Sequence, residues 1–294
     1  MSNKQNVFFG GATALVTPFY NGEIDYSALE KMIEFQISNG ADGIVLLGTT
    51  GEAPTVYENE RRELIDFAVK KINKRVPLII GTGSNATSVA VRYSKSAQEQ
   101  GADACLVVSP YYNKATPEGI IQHYKEIAKE VQIPIIIYNV PARTGLKIPM
   151  EVYNALAKTD NIVGVKEASG DLGYLTELLY RHKDSFDVYT GCDDHILPTL
   201  ALGGMGVISV VGNLVPQRIS QLCHEFQKGN TREARELQLS LTPLITELFR
   251  EVNPIPVKCA MSQMGMCQEE YRLPLCKSTR QKEILQILKE YKLL

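Results

Sequence analysis

Hydrophobic and polar positions alternate along this chain in blocks. Short apolar runs recur eight times: ATALVTP (12–18), GIVLLG (43–48), PLIIGTG (77–83), ACLVVSP (104–110), PIIIYNV (134–140), IVGVK (162–166), DVYTG (187–191) and GVISV (206–210). Between and after them lie polar stretches whose apolar residues return at helical spacing. These predict helices over 26–38, 57–73, 87–100, 117–130, 149–158, 171–182, 194–202 and 216–228. Start signals mark several: Asp25, Thr116-Pro117-Glu118 and Asp171 stand where an N-cap or first-turn residue belongs.

Near-continuous apolar strands alternating with helices imply a parallel sheet covered on both faces. Eight such units in about 225 residues predict an α/β fold, a (β/α)8 TIM barrel, over residues 1–228. A doubly wound sheet is the rival. Its usual glycine-rich nucleotide fingerprint is missing, because TPFYNGEID follows the first run. From 229 to 294 no comparable strand occurs, and 231–252, 256–265 and 279–294 read as helices. This is a C-terminal helical segment expected to pack on the barrel.

Composition narrows the function. With 294 residues, 44% of them hydrophobic, the chain can bury a large core. A net charge of −2 offers no basic excess to attract nucleic acid or an anionic membrane surface. No apolar run reaches the roughly 18 residues of a membrane helix, and MSNKQNVFFGG lacks the pattern of a signal peptide. A cytoplasmic location is expected. Six scattered cysteines form no CxxC pair and four histidines form no HExxH, so neither a metal nor a cofactor is expected. The cysteines read as small buried hydrophobes.

In such a barrel, chemistry belongs at the C-terminal strand ends and the loops after them. Those positions hold Thr49 and Thr50 in GTTGE, Tyr111 and Tyr112 in SPYYN, Tyr138 and Arg143 in YNVPARTG, and Lys166. An amine inside an apolar barrel loses hydration, which favours its neutral, nucleophilic form. Lys166 is therefore either a Schiff-base nucleophile or a strand-end lysine that snorkels to water. Tyr138, one strand earlier, could move protons beside it or could be core packing. Thr49 could tune that phenol or serve the turn. Arg143 suits a substrate carboxylate or a surface ion pair.

The motifs ALVTPF (14–19), GTTGEA (48–53), GTGSNAT (81–87), SPYYNK (109–114), IYNVPARTG (137–145), GVKEASGD (164–171), TGCDD (190–194), GVISV (206–210) and NPIPVK (253–258) resemble the dihydrodipicolinate synthase family. That family lies within the pyruvate-dependent class I aldolases, which also contain N-acetylneuraminate lyase. The resemblance implies that Lys166 forms the imine with pyruvate. It implies a proton relay of Tyr138, Thr49 and Tyr112, the last contributed by a neighbouring subunit. Thr50 matches the turn that holds the pyruvate carboxylate. Arg143 matches the arginine for the carboxylate of L-aspartate β-semialdehyde, and Ile208 matches a strand residue whose carbonyl lies near the lysine. The implied assembly is a homodimer or a tetramer of tight dimers. A sialic acid or 2-keto-3-deoxy sugar acid lyase is the alternative. Arg143, two residues after Pro141, favours the amino-acid semialdehyde.

The resemblance also implies a lysine-binding cleft at the tight dimer interface. Asn85 and Tyr111 match it, but Val89 stands where relatives carry a glutamate, and Glu58 and Arg61 replace two histidines. Insensitivity to lysine is the expectation.

Overall fold

The computed structural model describes residues 6–294. Eight parallel strands form a closed barrel: β1 (Gly10–Ala14), β2 (Gly43–Leu46), β3 (Leu78–Gly81), β4 (Ala104–Val108), β5 (Ile135–Asn139), β6 (Ile162–Glu167), β7 (Asp187–Thr190) and β8 (Gly206–Ser209). Each pairs with the next in sequence, and β8 returns to β1 with Gly206 opposite Gly10. All eight expected runs contribute a strand, so the chain is a (β/α)8 barrel. The first strand sits earlier than its apolar run. Beyond Leu15, whose N–H still donates to the Val45 carbonyl, the backbone turns to other partners: the Asn213 side chain accepts from the Val16 N–H, and Pro18 has no N–H to give. A two-strand hairpin, Phe19–Tyr20 with Glu23–Ile24, follows and was not expected from the pattern.

Strand alternation divides the core into two shells. Val45, Ile79, Leu106, Ile136, Tyr138 and Ile208 fill the barrel. Their neighbours Ile44, Leu46, Ile80, Val107, Ile137 and Val165 face the helices. Phe8 sits at the entry to β1, its ring stacked on Tyr189 at 4.2 Å, and this closes the N-terminal end with apolar surface. That leaves the C-terminal end for a site.

The helices follow the expected order, including Tyr26–Ser38, Pro117–Glu130 and Leu172–His182. The signalled caps form: Asp25 accepts from Ala28 N at 2.9 Å, Thr116 from Gly119 N at 3.2 Å and Asp171 from Tyr174 N at 3.0 Å. Three helices end the chain: Thr231–Leu248, Ile255–Gln263 and Gln281–Glu290. Gln238 ties the first to the loop after β7, accepting from Leu197 N and donating to the Asp193 carbonyl, both at 3.0 Å. Among the described residues no helix is long and apolar enough to cross a membrane. Cys105, Cys223 and Cys259 are buried as expected, whereas Cys276 is exposed and Cys192 and Cys267 lie between.

Candidate active site

Lys166 does not snorkel. It is buried within β6, which continues one residue further, and it sits in register with Tyr138 on β5 and Tyr189 on β7. Alternation sends Lys166 into the barrel and Glu167 outward. There the Glu167 carboxylate takes Asn139 Nδ2 at 2.7 Å and Ser169 N at 2.6 Å. The Lys166 ammonium lies 4.5 Å from the centroid of the Tyr138 ring. Burial pulls the Lys166 pKa down to about 8; the Asp193 and Cys192 side chains act against this, and the Arg143 cation adds to it. Burial pushes the Tyr138 phenol up, and the hydrogen-bonding Thr49 side chain is the largest opposing influence. The pair therefore combines an amine that is easily neutral with a phenol that keeps its proton at neutral pH.

Space for the lysine stem comes from Gly191. A Cβ at this position would stand 2.7 Å from Lys166 Cε and 2.7 Å from Ala168 Cβ. Gly81 allows a second close approach, since a Cβ there would meet the Leu47 carbonyl oxygen at 1.9 Å. That contact sets the turn from Leu47 to Glu52, whose ends adopt left-handed backbone at φ 56° and 52°. Within it Thr49 is half-buried and Thr50 buried.

A cavity of about 490 Å³ opens beside these groups, and Thr49, Tyr138, Arg143 and Asn253 are among the residues that line it. Among the described residues Arg143 makes no surface ion pair of the kind its sequence position also allowed. Its guanidinium donates to the Asn253 carbonyl at 2.7 Å, and the residue is exposed. The lining also includes Arg61, Val89 and Tyr111. Arg61 is buried there, donating to the Gly81 carbonyl at 2.6 Å with its guanidinium 4.2 Å from the Tyr93 ring centroid. Ile208 is buried in the barrel interior with Tyr138. Tyr112 stands apart: it is 90% exposed, takes φ +72° and does not line the cavity. Thr49, Tyr138, Lys166 and Arg143 are thus gathered within one chain, and Tyr112 is not.

Several residues at this end had no role in the sequence reading. Asp193 is buried, and its carboxylate takes the Ser209 hydroxyl and the Val210 and Val211 N–H groups, fixing the end of β8 beside Lys166. Glu52 forms a buried ion pair with Lys258 from the C-terminal helices. Asn253 joins Thr50 to Arg143. The motifs GTTGEA, TGCDD and NPIPVK contain them, but no local pattern shows which side chain turns inward. For a metal, Cys192, Asp194 and His195 bring one donor each within 4.8 Å of one another. Burial, with the Asp194 and Asp193 carboxylates adding to it, pushes that thiol up to about 12.

Residues 7–290 match the Dihydrodipicolinate synthetase family. The curated 4-hydroxy-tetrahydrodipicolinate synthase of Syntrophus aciditrophicus is 48% identical over 290 residues, 98% of this chain and all of that one. The crystal structure of dihydrodipicolinate synthase from Aquifex aeolicus superposes with a TM-score of 0.95 at 44% identity, covering 97% and 99% of the two chains. The chloride-inhibited dihydrodipicolinate synthase from Acinetobacter baumannii, solved in complex with pyruvate, gives 0.95 at 39% identity over 97% and 99%.

Proposed function

The chain belongs to the dihydrodipicolinate synthetase family, and from that premise we propose how its residues carry the family reaction. The enzyme is a lyase of the class I aldolase type. It condenses pyruvate with L-aspartate β-semialdehyde to 4-hydroxy-tetrahydrodipicolinate, in the diaminopimelate route to lysine. The sugar-acid lyase alternative is not favoured.

In this reading the Lys166 amine attacks the pyruvate ketone, and water leaves as the imine forms. The iminium withdraws electrons, so the methyl group gives up a proton and becomes an enamine. The enamine carbon then attacks the semialdehyde's aldehyde carbon. The substrate's own amine displaces Lys166 as the ring closes, returning the lysine free. Tyr138 and Thr49 carry protons in these steps, Thr50 holds the pyruvate carboxylate, and Arg143 receives the carboxylate of the second substrate. Ile208 lends its main-chain carbonyl close to the lysine. The supporting observation is the buried Lys166 amine held 4.5 Å from the Tyr138 ring.

Tyr112 completes the relay of a neighbouring subunit. A bulky residue on left-handed backbone with its ring in solvent is costly for an isolated chain, and a partner's site gives it a purpose. The assembly is accordingly a homodimer or a tetramer of tight dimers, acting in the cytoplasm. Residues 1–228 are the catalytic barrel. Residues 229–294 form an appended helical segment whose Asn253 and Lys258 reach back to the site.

Borohydride reduction in the presence of pyruvate tests the central assignment. The adduct is expected on the peptide containing Lys166 and absent from Lys166→Ala. An adduct of the same mass on another lysine overturns it.

A further inference from the structure

Thr50 and Arg143 lie on loops after different strands, β2 and β5, yet both are bonded to one residue of the C-terminal segment. Asn253 Nδ2 donates to Thr50 Oγ1 at 3.0 Å, and the Asn253 main-chain carbonyl accepts from Arg143 at 2.7 Å. Asn253 is buried and lines the cavity. Its Oδ1 is also buried and has no hydrogen-bond partner among the described residues. A buried amide that leaves its oxygen unpaired contributes at this position through its N–H. Lys258, five residues on, fixes the segment by its ion pair with Glu52 in the same β2 turn as Thr50.

A threonine hydroxyl has one proton to give. With Nδ2 donating into the Thr50 oxygen, that proton is directed away from Asn253 and stays available to an acceptor. We propose that Asn253 is a positioning residue for both substrates: its side chain orients the Thr50 hydroxyl as a donor to the pyruvate carboxylate, and its backbone carbonyl aims Arg143. This rests on the reading of Thr50 and Arg143 given above.

The two halves separate experimentally, because substitution removes the side chain and keeps the carbonyl. Asn253→Asp replaces a donor with an acceptor, claims the Thr50 proton and sets a negative charge beside the incoming carboxylate. Asn253→Leu only removes the donor. The pyruvate KM is expected to rise about tenfold to hundredfold in Asn253→Asp and markedly less in Asn253→Leu. The semialdehyde KM is expected to stay within about threefold of wild type in Asn253→Leu, as for a contact left intact. A packing role predicts the reverse ranking, since aspartate keeps the shape of asparagine. Asn253→Asp equal to or milder than Asn253→Leu on the pyruvate KM overturns the proposal. Thr50→Val is the control for the underlying reading: an unchanged pyruvate KM there removes Thr50 from the pyruvate site, whatever Asn253 does. Circular dichroism and thermal melts of each variant identify any that fails to fold. Asn253→Gln, which keeps an amide donor, is then expected to keep a lower pyruvate KM than Asn253→Asp, and a higher one also overturns the proposal.

Discussion

Tyr138 and Lys166 face each other across the β5–β6 register, and the lysine ammonium lies 4.5 Å from the phenol ring's centroid. Register fixes this pairing, so neither side chain needs a flexible loop to find the other. The same burial that brings them together weakens the charged form of the amine, which links activity and stability to pH.

Imine formation needs neutral Lys166, whose pKa burial lowers to about 8. Its rate should rise about tenfold per pH unit below 8 and level off above it. Folding responds in the opposite sense to the charge. The ammonium is destabilised in the folded state, so this cost is fully present below pH 8 and is relieved as pH climbs from 8 towards the ordinary 10.5. Lys166→Met should therefore stabilise the inactive protein at pH 7 by at most about 3 kcal/mol, with a smaller gain at pH 10. Urea unfolding at both pH values measures it. A Met variant no more stable than wild type at pH 7 contradicts the burial cost.

Gly191 carries a prediction that separates geometry from fold. The Cβ of Gly191→Ala would stand 2.7 Å from Lys166 Cε, so the lysine stem must move aside. A displacement of about 1 Å at a nucleophile is expected to slow pyruvate imine formation about tenfold or more, with unchanged circular dichroism. Trapping kinetics with borohydride read it. An imine rate equal to wild type shows that the lysine can shift without loss.

What the sequence made legible follows from how local each signal is. Lys166 and Tyr138 end apolar runs, so strand period and burial pointed to them without any partner being known. Asp25, Thr116 and Asp171 were readable as helix starts because a cap acts over three residues. Asn253 was not readable this way: the threonine it bonds is 203 positions away and the arginine 110. Gly191 looked like any turn glycine until the lysine stem was seen against it. Lys166 itself posed an ambiguity that composition could not resolve, since a strand-end lysine in water and one inside the barrel differ by the single residue, Glu167, with which β6 continues.

Tyr112 tests the shared site. Tyr112→Phe and Lys166→Ala should each be nearly inactive alone. Mixed and allowed to exchange subunits, half the dimers pair the two variants, and each such dimer rebuilds one complete site from an intact lysine and its partner's intact tyrosine. About a quarter of wild-type activity should return. Native mass spectrometry establishes that exchange has occurred. Proven hybrids without recovered activity would place the whole relay within one chain.

Regulation turns on one stretch of the cavity wall. Val89 and Tyr111 line it together with Arg61, and Val89 occupies the place where the family resemblance puts a glutamate for lysine's ammonium. Glu58, at one of the two histidine positions, is a carboxylate that could in principle supply the charge. In the structure it is engaged elsewhere, taking Arg92 Nε at 3.0 Å and its terminal nitrogen at 3.1 Å. Glu52 also lines the cavity, but the buried Lys258 ammonium neutralises it. Arg61 adds a fixed positive charge to the same wall. A dicationic amino acid thus meets a methyl surface and a cation where it needs a carboxylate. The missing charge-assisted hydrogen bond alone weakens binding by about 1.5–3 kcal/mol, roughly tenfold to hundredfold. Steady-state activity is expected to be unaffected by submillimolar lysine, and Val89→Glu to gain inhibition. Half-inhibition of the unmodified enzyme at submillimolar lysine would show that another group on this wall carries the missing charge.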